Sequence, residues 1–384
     1  MRLLHTADWH LGRTLHGASL LDDQAHLLEQ FVDLARREKP DVVVIAGDVY
    51  DRAVPPSDVV RLLDDVLCRV VMGLKIPVVV IAGNHDAADR LAFASRLLDG
   101  QGLHILGQPV SSTAPVILND DHGPFYLYPL PYAEPAIVRH CLDNQELQGH
   151  QEAMRYLLEG IWSRHPKGQR TIAVAHCFVT GSTECESERP LSVGGAGMIE
   201  SAVFKGFDYV ALGHLHRPQS CDKDRIQYSG SLMRYSFSEA DHDKAVLMVE
   251  MGADAKCHVE RVSLTPRRQV RCLEGTLTEV LDGAKMDKAP EDYVMVTLLD
   301  EGPIFDAMGK LRSAYPNCLH IERPVLSGRA SQDGPRVDHR KMGDRELFGS
   351  FFEQVTGEPL TKKQVAAFAT VADEVRRGER EDVA

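Results

Sequence analysis

The chain has 384 residues, of which 43% are hydrophobic and 26% charged, and a formal net charge of −13. This composition is typical of a globular protein, and the length predicts two or three domains. No apolar run approaches the ~18 residues of a membrane span, and the N-terminus lacks the pattern of a signal peptide, so we expect a cytosolic protein that does not enter a membrane. The negative charge argues against a general electrostatic attraction to nucleic acid, although bound divalent cations or a basic partner can offset it locally.

Five apolar runs up to residue 212 are each followed by a polar turn. They are rich in Val and Ile and apolar at nearly every position, which is typical of strands buried on both faces of a sheet. The runs are residues 2–4, 41–46, 77–82, 171–175 and 209–212. The segments between the first three have apolar residues at helical spacing, and Ser57 is a suitable N-cap for the second helix. This alternation predicts an α/β fold in which layers of β-sheet are flanked by helices.

The remaining sequence predicts three further parts. The stretches "IQYSGSLMRYSFSE" and "KAVLMVEM" predict strands or turns that complete a first domain over 1–268. Within 269–326, "DYVMVTLLD" and "LHIERPV" predict strands and "IFDAMGKLRSAYP" a helix, which together form a small α+β domain. A polar linker, 327–343, precedes a helical segment, 344–384, with two amphipathic helices. The first of these carries an apolar stripe and the second starts with a capping box; the residues are Leu347, Phe348, Phe351, Phe352 and Val355, then Thr361 and Gln364.

Each of the five predicted strands ends in residues that can bind a metal. In order they are Asp8 and His10, then Asp48, then Asn84 with His85 and Asp86, then His176, and finally His214 and His216. In an open α/β sheet the loops at the carboxyl ends of the strands converge, so we expect these side chains to form one site. A single Asp or His at a strand end often only caps the next helix, but five such ends favour a shared function.

The number of ligands predicts two metal ions. Seven protein groups exceed the coordination of one ion, whereas two ions can share a bridging carboxylate, for which Asp48 is the natural candidate. Carboxylate, amide and imidazole ligands suit Mn²⁺, Fe²⁺ or Zn²⁺. The eight scattered cysteines contain no C-x-x-C pair and are predicted to be reduced thiols rather than a zinc finger. Paired divalent ions are the usual means of hydrolysing phosphoesters.

The same motifs carry a resemblance to a known family. "DWHLG", "GDVYD", "GNHD", "AH" and "GHLH" resemble the pattern D-x-H, G-D, G-N-H-D/E, H and G-H-x-H of the calcineurin-like metallophosphoesterase superfamily. Longer stretches, "LLHTADWHLG", "AGDVYDRAVPP" and "ALGHLHRPQ", resemble its SbcD family of bacterial nuclease subunits. The resemblance implies a metallophosphoesterase nuclease domain, a capping domain that recognises DNA, and a partner-binding helical segment.

The resemblance also implies a role for each candidate residue. Asp8, His10, Asp48 and His216 would hold one Mn²⁺, and Asp48, Asn84, His176 and His214 would hold the other. His85 would be the catalytic general acid that protonates the leaving sugar oxygen. Asp51 and His16 are expected next to the ligands; some relatives have a histidine where this chain has Asp51, so the role of Asp51 is left open.

The implied activity is hydrolysis of DNA phosphodiesters in end processing, repair and recombination. It would act as a 3′–5′ exonuclease on duplex ends and an endonuclease on single strands and hairpins. The chain contains no G-x-x-x-x-G-K-[ST] motif, so ATP dependence would come from an SbcC-like coiled-coil ATPase. A homodimer joined through helices of the nuclease domain, and a heterotetramer with that ATPase, are expected by resemblance. The tail helices would dock on the coiled coil, or else pack on each other or on the capping domain.

Two other functions use the same sequence features. A metallophosphodiesterase for small phosphoesters would need the same metals but no capping domain and no docking helices. A non-catalytic scaffold would retain the fold but would be expected to lose ligands, whereas all seven and His85 are present.

Overall fold

The computed structural model describes residues 1–110, 113–188 and 197–324, and residues 348, 349, 352, 356, 358–369 and 371. The chain divides into two units, Met1–Val270 and Arg271–Ala384. Within the described ranges, no helix is long and apolar enough to cross a membrane.

The first unit contains strands and helices in alternation. Its strands are β1 (Arg2–Thr6), β2 (Thr14–Leu15), β3 (Ala18–Ser19), β4 (Val42–Ala46), β5 (Val78–Ile81), β6 (Leu103–Leu106), β7 (Val116–Asp120), β8 (Gly123–Leu130), β9 (Arg170–His176), β10 (Phe178–Val179), β11 (Met198–Ile199), β12 (Tyr209–Gly213), β13 (Gln219–Asp222), β14 (Ile226–Tyr228), β15 (Val246–Met251) and β16 (Cys257–Val262). Its helices are α1 (Leu21–Glu38), α2 (Ser57–Leu67), α3 (Ala88–Leu91), α4 (Ser95–Leu98), α5 (Pro135–Leu142) and α6 (His150–Trp162), with a π-helical turn at Cys68–Gly73 and 3₁₀ turns at Asp99–Gln101, Ser201–Phe204 and Phe237–Glu239.

Among the described residues, most strands of this unit form two six-stranded mixed sheets, while β2 pairs with β3 and β10 with β11 in two-stranded sheets. The first sheet has the order β16-β15-β1-β4-β5-β6, in which β1, β4, β5 and β6 are parallel. The second has the order β13-β14-β12-β9-β8-β7, in which β14, β12, β9 and β8 are parallel. The five predicted strands are all present, but β1, β4 and β5 belong to one sheet and β9 and β12 to the other. The predicted layered α/β fold is therefore confirmed, whereas the expectation of a single sheet edge for all five strand ends is wrong.

The core between the sheets explains how the five strand ends still meet. Val44 and Ile81 of the first sheet share an apolar cluster with Ile172, Val174 and Ala211 of the second. Burying each of the Val and Ile side chains contributes roughly 1.5–3 kcal/mol, so the face-to-face packing is strongly favoured. A second cluster covers the outer face of the second sheet, where α6 packs. Because the packed sheets bring their carboxyl ends together, the loops after both sets of strands converge.

A close backbone contact fixes this convergence at the end of β12. A Cβ atom at Gly213 would collide with the carbonyl oxygen of Ala46, the last residue of β4. The residue between "AL" and "HLH" must therefore be glycine, since any side chain would force the two sheets apart at the point where their loops meet.

The second unit is a small α+β structure. Its elements are β17 (Val270–Gly275), α7 (Leu277–Ala284), β18 (Tyr293–Leu298), α8 (Ala307–Ala314) and β19 (Cys318–Glu322). The strand order is β17-β18-β19, and Val280, Val296 and Leu311 lie in its apolar cluster. β18, α8 and β19 were predicted, whereas β17 and α7 were missed although Thr276 and Glu279 form a capping box at the start of α7.

The described part of the helical segment shows two of its predicted features. Thr361 and Gln364 form the expected capping box through reciprocal hydrogen bonds. The rings of Phe348 and Phe368 stack with their centroids 4.1 Å apart, so the two helices use part of their apolar surface against each other. The linker 327–343 and the other residues of the predicted stripe, Leu347, Phe351 and Val355, lie outside the described residues.

Candidate metal centre

The loops after three of the five strands, β1, β4 and β12, adopt an unusual backbone conformation. Asp8, His10 and Asp48 have φ values of 52°, 42° and 48°, and His214 has a φ of 106°. Positive φ is uncommon for residues with a side chain and is concentrated at functional sites, where the surrounding structure compensates for the strain. These four residues are all among the predicted ligands.

Backbone hydrogen bonds hold the first two loops together. The amide of Asp8 donates to the carbonyl of Gly47 at 3.0 Å, and the amide of His10 donates to the carbonyl of Asp48 at 2.9 Å. The carboxylate of Asp86, from the "GNHD" loop, accepts the amides of Val49 at 3.1 Å and Gly83 at 2.9 Å. Asp86 thus connects the loops after β4 and β5, which identifies it as a structural residue of the site rather than a ligand.

Asp48 occupies the centre of the site. Its Oδ1 accepts the amide of His85 at 2.8 Å, which fixes the carboxylate. Its Oδ2 lies 3.6 Å from Nε2 of His10, 3.4 Å from Nε2 of His176 and 4.0 Å from Nε2 of His85. One carboxylate oxygen therefore faces imidazoles from three different loops, with only 2% of the residue exposed.

One side of Asp48 holds a first ligand cluster. Asp8, His10 and His216 are buried and offer ligand atoms within 4.8 Å of one another. The Nε2 atoms of His10 and His216 are 3.0 Å apart. The carboxylate of Asp8 accepts the amide of His214 at 2.9 and 3.1 Å, which links this cluster to the "GHLH" loop.

The other side of Asp48 holds a second cluster. Asp48, His176 and His214 again lie within 4.8 Å of one another. The Oδ1 atom of Asn84 is 2.9 Å from Nε2 of His176 and 3.1 Å from Nδ1 of His214. Because Nδ1 of His176 donates to the carbonyl of Ala46 at 2.9 Å, its Nε2 is the atom presented to the site.

Burial and charge shift the pKa values of these groups strongly. Burial, together with the neighbouring Asp48 carboxylate, raises the pKa of Asp8 well above its usual range. Burial alone would also raise the pKa of Asp48, but the charge of His176 outweighs it and holds the pKa well below the usual range. Burial lowers the pKa of His176, but the Asp48 carboxylate raises this pKa to about 9. Burial lowers the pKa of His214 to about 3.

The donor set fits divalent metal ions. Two buried carboxylates, an amide oxygen and imidazole nitrogens point at one another. Burying such a cluster without a cation destabilises the folded protein, so the arrangement favours a bound cation. Nδ1 of His10 lies buried without a hydrogen-bond partner among the described residues, and its Nε2 faces another imidazole. These ligands suit borderline divalent ions such as Mn²⁺ or Zn²⁺.

The structure also locates the other three candidate residues. Nδ1 of His85 donates to the backbone carbonyl of Asp51 at 3.0 Å, so Nε2 of His85 faces the site. The carboxylate of Asp51 instead lies 3.3 Å from Arg13 and 3.7 Å from Nδ1 of His10. His16 lies on the exposed turn between β2 and β3, where its ring packs against Phe237 with centroids 5.3 Å apart.

A group of polar residues behind His216 was not predicted from the sequence. The Oγ atom of Ser187 lies 2.6 Å from Nδ1 of His216, and the Ser187 hydroxyl donates to Glu239. The Glu188 carboxylate accepts a hydrogen bond from the amide of His216 at 2.5 Å, and Lys244 donates to the backbone carbonyl of His216 at 2.7 Å. These residues come from loops without a strand-end pattern, so no local signal identifies them.

The comparisons with known proteins agree with this fold. A family model described as calcineurin-like phosphoesterase matches residues 1–218, and one described as type 5 capsule protein repressor C-terminal domain matches residues 266–356. A curated protein of Staphylococcus saprophyticus, named as the D subunit of the nuclease SbcCD, is 34% identical over 95% of this chain and 96% of its own length. The chain belongs to the calcineurin-like phosphoesterases and, among them, to the SbcD family.

Solved structures of two distant proteins are similar over the same share of the chain. A protein of Thermus thermophilus is 14% identical, covers 68% of this chain and 98% of its own, and has a TM-score of 0.38. A dimetal phosphatase from Danio rerio is 16% identical, covers 68% of this chain and 99% of its own, and has a TM-score of 0.40.

Proposed function

We propose that this protein is a two-metal DNA nuclease that acts with an SbcC-like ATPase. The observation that carries the proposal is the position of Asp48, whose Oδ2 lies within 4.0 Å of imidazole nitrogens of His10, His176 and His85. A carboxylate oxygen placed between two ligand clusters is the arrangement that a pair of bridged cations requires.

The ligands divide between the two cations according to the clusters. Asp8, His10 and His216 would hold one ion, and Asn84, His176 and His214 the other, with Asp48 shared between them. When bound, the pair supplies an activated water as nucleophile and neutralises charge on the phosphoryl oxygens. We propose Mn²⁺ as the metal, since carboxylate, amide and imidazole donors without thiolate suit it.

His85 is proposed as the general acid. Its Nδ1–H is held by the carbonyl of Asp51, so Nε2 carries the proton that can be transferred and faces the site. This Nε2 lies 4.0 Å from Oδ2 of the central carboxylate of Asp48. Transfer of this proton to the leaving sugar oxygen contributes roughly 10²–10⁴-fold to the rate.

DNA is proposed as the substrate on the strength of the family. The 34% identical relative is named as part of a nuclease and matches this chain over 95% of its length, including the second unit. We propose that this unit recognises DNA as a capping domain and that cleavage is 3′–5′ exonucleolytic on duplex ends and endonucleolytic on hairpins and single strands.

Two assemblies are proposed. An SbcC-like coiled-coil ATPase would bind the helical segment, where Val371 is 58% exposed, and together they would form a heterotetramer. A homodimer would form through the nuclease unit, where Val60 of α2, Met72, Phe93 and Leu97 are exposed apolar side chains. Surfaces of this kind mark protein–protein contacts.

The experiment compares substrates and metals in the full chain. The protein is assayed with Mn²⁺ on linear duplex DNA, hairpin DNA and the generic phosphodiester bis-p-nitrophenyl phosphate, with and without the ATPase partner. We expect Mn²⁺-dependent cleavage of hairpins by the chain alone and cleavage of duplex ends with the partner. Hydrolysis of the generic diester with no cleavage of either DNA would instead support a small-molecule phosphodiesterase. Absence of hydrolysis on all substrates would support the scaffold.

A further inference from the structure

His216 is surrounded by polar groups on the side that faces away from the metal ligands. Its Nε2 points at His10, whereas its Nδ1 lies 2.6 Å from Oγ of Ser187. Ser187 is 7% exposed and its hydroxyl donates in turn to Oε1 of Glu239, which is fully buried. The imidazole therefore has one nitrogen in the candidate metal site and the other in a separate hydrogen-bond chain.

The hydrogen-bond chain that starts at His216 continues to a buried ion pair. Lys244 donates to Oε2 of Glu239 and also to the hydroxyl of Ser231 at 2.8 Å. The same ammonium group donates to the carbonyl of His216 at 2.7 Å, so the hydrogen bonds form a closed ring through His216. Glu239 is held further by the amide of Tyr235 at 3.1 Å.

The direction of each hydrogen bond follows from the charges. Glu239 forms an ion pair with Lys244, and its carboxylate can only accept hydrogen bonds. The Ser187 hydroxyl must therefore donate its single proton to Glu239. Ser187 can then only accept from His216, which requires the proton of the neutral imidazole to be on Nδ1. The lone pair of His216 is thereby left on Nε2, the atom that faces the first ligand cluster.

His10 independently fits this assignment. Its Nδ1 has no hydrogen-bond partner among the described residues, and its Nε2 lies 3.0 Å from Nε2 of His216. If Nε2 of His216 is the lone-pair side, Nε2 of His10 can donate to it in the metal-free protein. The imidazole of His10 is then the donor and that of His216 the acceptor in the hydrogen bond between them.

We propose that Ser187 and Glu239 are positioning residues that hold His216 in the Nδ1–H form and so present its Nε2 lone pair to a divalent cation. This inference rests on the proposed function, because it assigns a role at the same metal site. Partners of metal-binding histidines orient the ring and raise its basicity, and their loss costs about 10–100-fold in metal affinity.

The first test measures Mn²⁺ binding to the full-length protein by calorimetry and electron paramagnetic resonance. Ser187→Ala should weaken one of two Mn²⁺ sites about 10–100-fold and leave the other unchanged. Ser187→Thr, which keeps a hydroxyl, should restore most of the affinity. Ser236→Ala is the matched control: the Ser236 hydroxyl lies 3.2 Å from the same Oε1 of Glu239 and 2.8 Å from Ser238, so both sites should keep their affinity.

The second test measures the tautomer in the unaltered protein. Histidine side chains labelled with ¹⁵N, in the metal-free full chain, should show His216 as the Nδ1–H form, with its signals assigned by their loss in His216→Gln. In Ser187→Ala the Nε2–H form should appear. The measurement on the unaltered protein does not depend on catalytic activity, and only the assignment of its signals requires a folded variant.

The outcomes separate this inference from the function on which it rests. An unaltered protein that binds no pair of Mn²⁺ ions contradicts the proposed function. An unaltered protein that binds two ions, with Ser187→Ala equal to it in both affinities, overturns only the role of Ser187 and Glu239. The Nε2–H form of His216 in the unaltered protein would overturn it as well.

Discussion

The Nε2 atoms of His10 and His216 lie 3.0 Å apart although 206 residues separate them in the chain. His10 follows β1 in the first sheet and His216 follows β12 in the second, so the contact spans the two layers of the sandwich. Two imidazole nitrogens this close share at most one proton in their neutral forms, whereas a cation between them would satisfy both lone pairs. Asp8, in the same cluster, supplies the negative charge that such a cation requires.

Removing the metal should therefore destabilise the protein. Binding to the folded state alone contributes about 2.7 kcal/mol at a free Mn²⁺ concentration of about 100 times Kd. We expect the melting temperature to fall in a chelator and to rise with added Mn²⁺, measured by calorimetry. Asp48→Asn, which removes the shared charge, should melt at nearly the same temperature with chelator as with Mn²⁺. Equal melting temperatures of the unaltered protein under both conditions would contradict a buried cation site.

The affinity for Mn²⁺ should increase with pH. In the metal-free protein Asp48 raises the pKa of His176 to about 9, above its ordinary value of 6.5. Such a shift stabilises the metal-free fold fully below about pH 6.5, and this contribution is lost as the pH rises through about 9. A cation needs the neutral imidazole, so binding between about pH 6.5 and 8.5 must release the proton. Calorimetry in buffers of different ionisation enthalpy counts the released protons; uptake or no release at about pH 7.5 would refute the pairing of His176 with Asp48.

Much of the site could be predicted because its ligands follow a local rule. Asp8, Asp48 and His176 each come directly after a Val-, Ile- or Leu-rich run, and a buried run followed by a polar turn is visible in the sequence alone. The division of the strands between two sheets was not visible, because it depends on pairings such as β12 with β9 and β14, which no local pattern encodes.

The residues that support the ligands could not be predicted for the same reason. Ser187 is 29 residues away from His216 in the chain and 52 residues away from Glu239. Tertiary packing alone brings these three residues together. The sequence left the role of Asp51 open, and in the structure its backbone carbonyl accepts a hydrogen bond from His85. A backbone contact of this kind leaves no trace in the identity of the residue.

Asp51→Asn should retain much of the activity. His85 donates to the backbone carbonyl of Asp51, which the substitution leaves in place, so the general acid should keep its orientation. The lost charge affects Arg13, 3.3 Å away, and Nδ1 of His10, 3.7 Å away, but no atom that holds His85. We expect less than about a 10-fold loss in kcat, against roughly 10²–10⁴-fold for His85→Gln. Equal losses in the two variants, at unchanged Mn²⁺ affinity, would show that the carboxylate itself takes part in the reaction.

Gly83→Ala should disrupt the site from within. A Cβ atom at this position would collide with Oδ1 and the amide nitrogen of Asp48, so the central carboxylate must move. We expect weaker binding at both Mn²⁺ sites and a stability loss of roughly 1–3 kcal/mol, typical of overpacking. Gly100→Ala is the matched control, because Gly100 is exposed and nothing lies within 4 Å of its added Cβ. Calorimetric Mn²⁺ titration and thermal melts compare the two; unaltered Mn²⁺ binding in Gly83→Ala would argue against the central role of Asp48.

Replacing the exposed apolar residues near α4 should separate the proposed homodimer. Phe93 is 81% exposed and Leu97 80%, values at which a large apolar side chain contributes little to the fold of a single chain. We expect Phe93→Ser with Leu97→Ser to shift the mass measured by light scattering from two chains to one, with an unchanged melting temperature in the dilute protein. Phe305→Ser, at an 88% exposed position in the second unit, is the control and should remain dimeric. A dimer that persists in the double variant would place the interface on another surface.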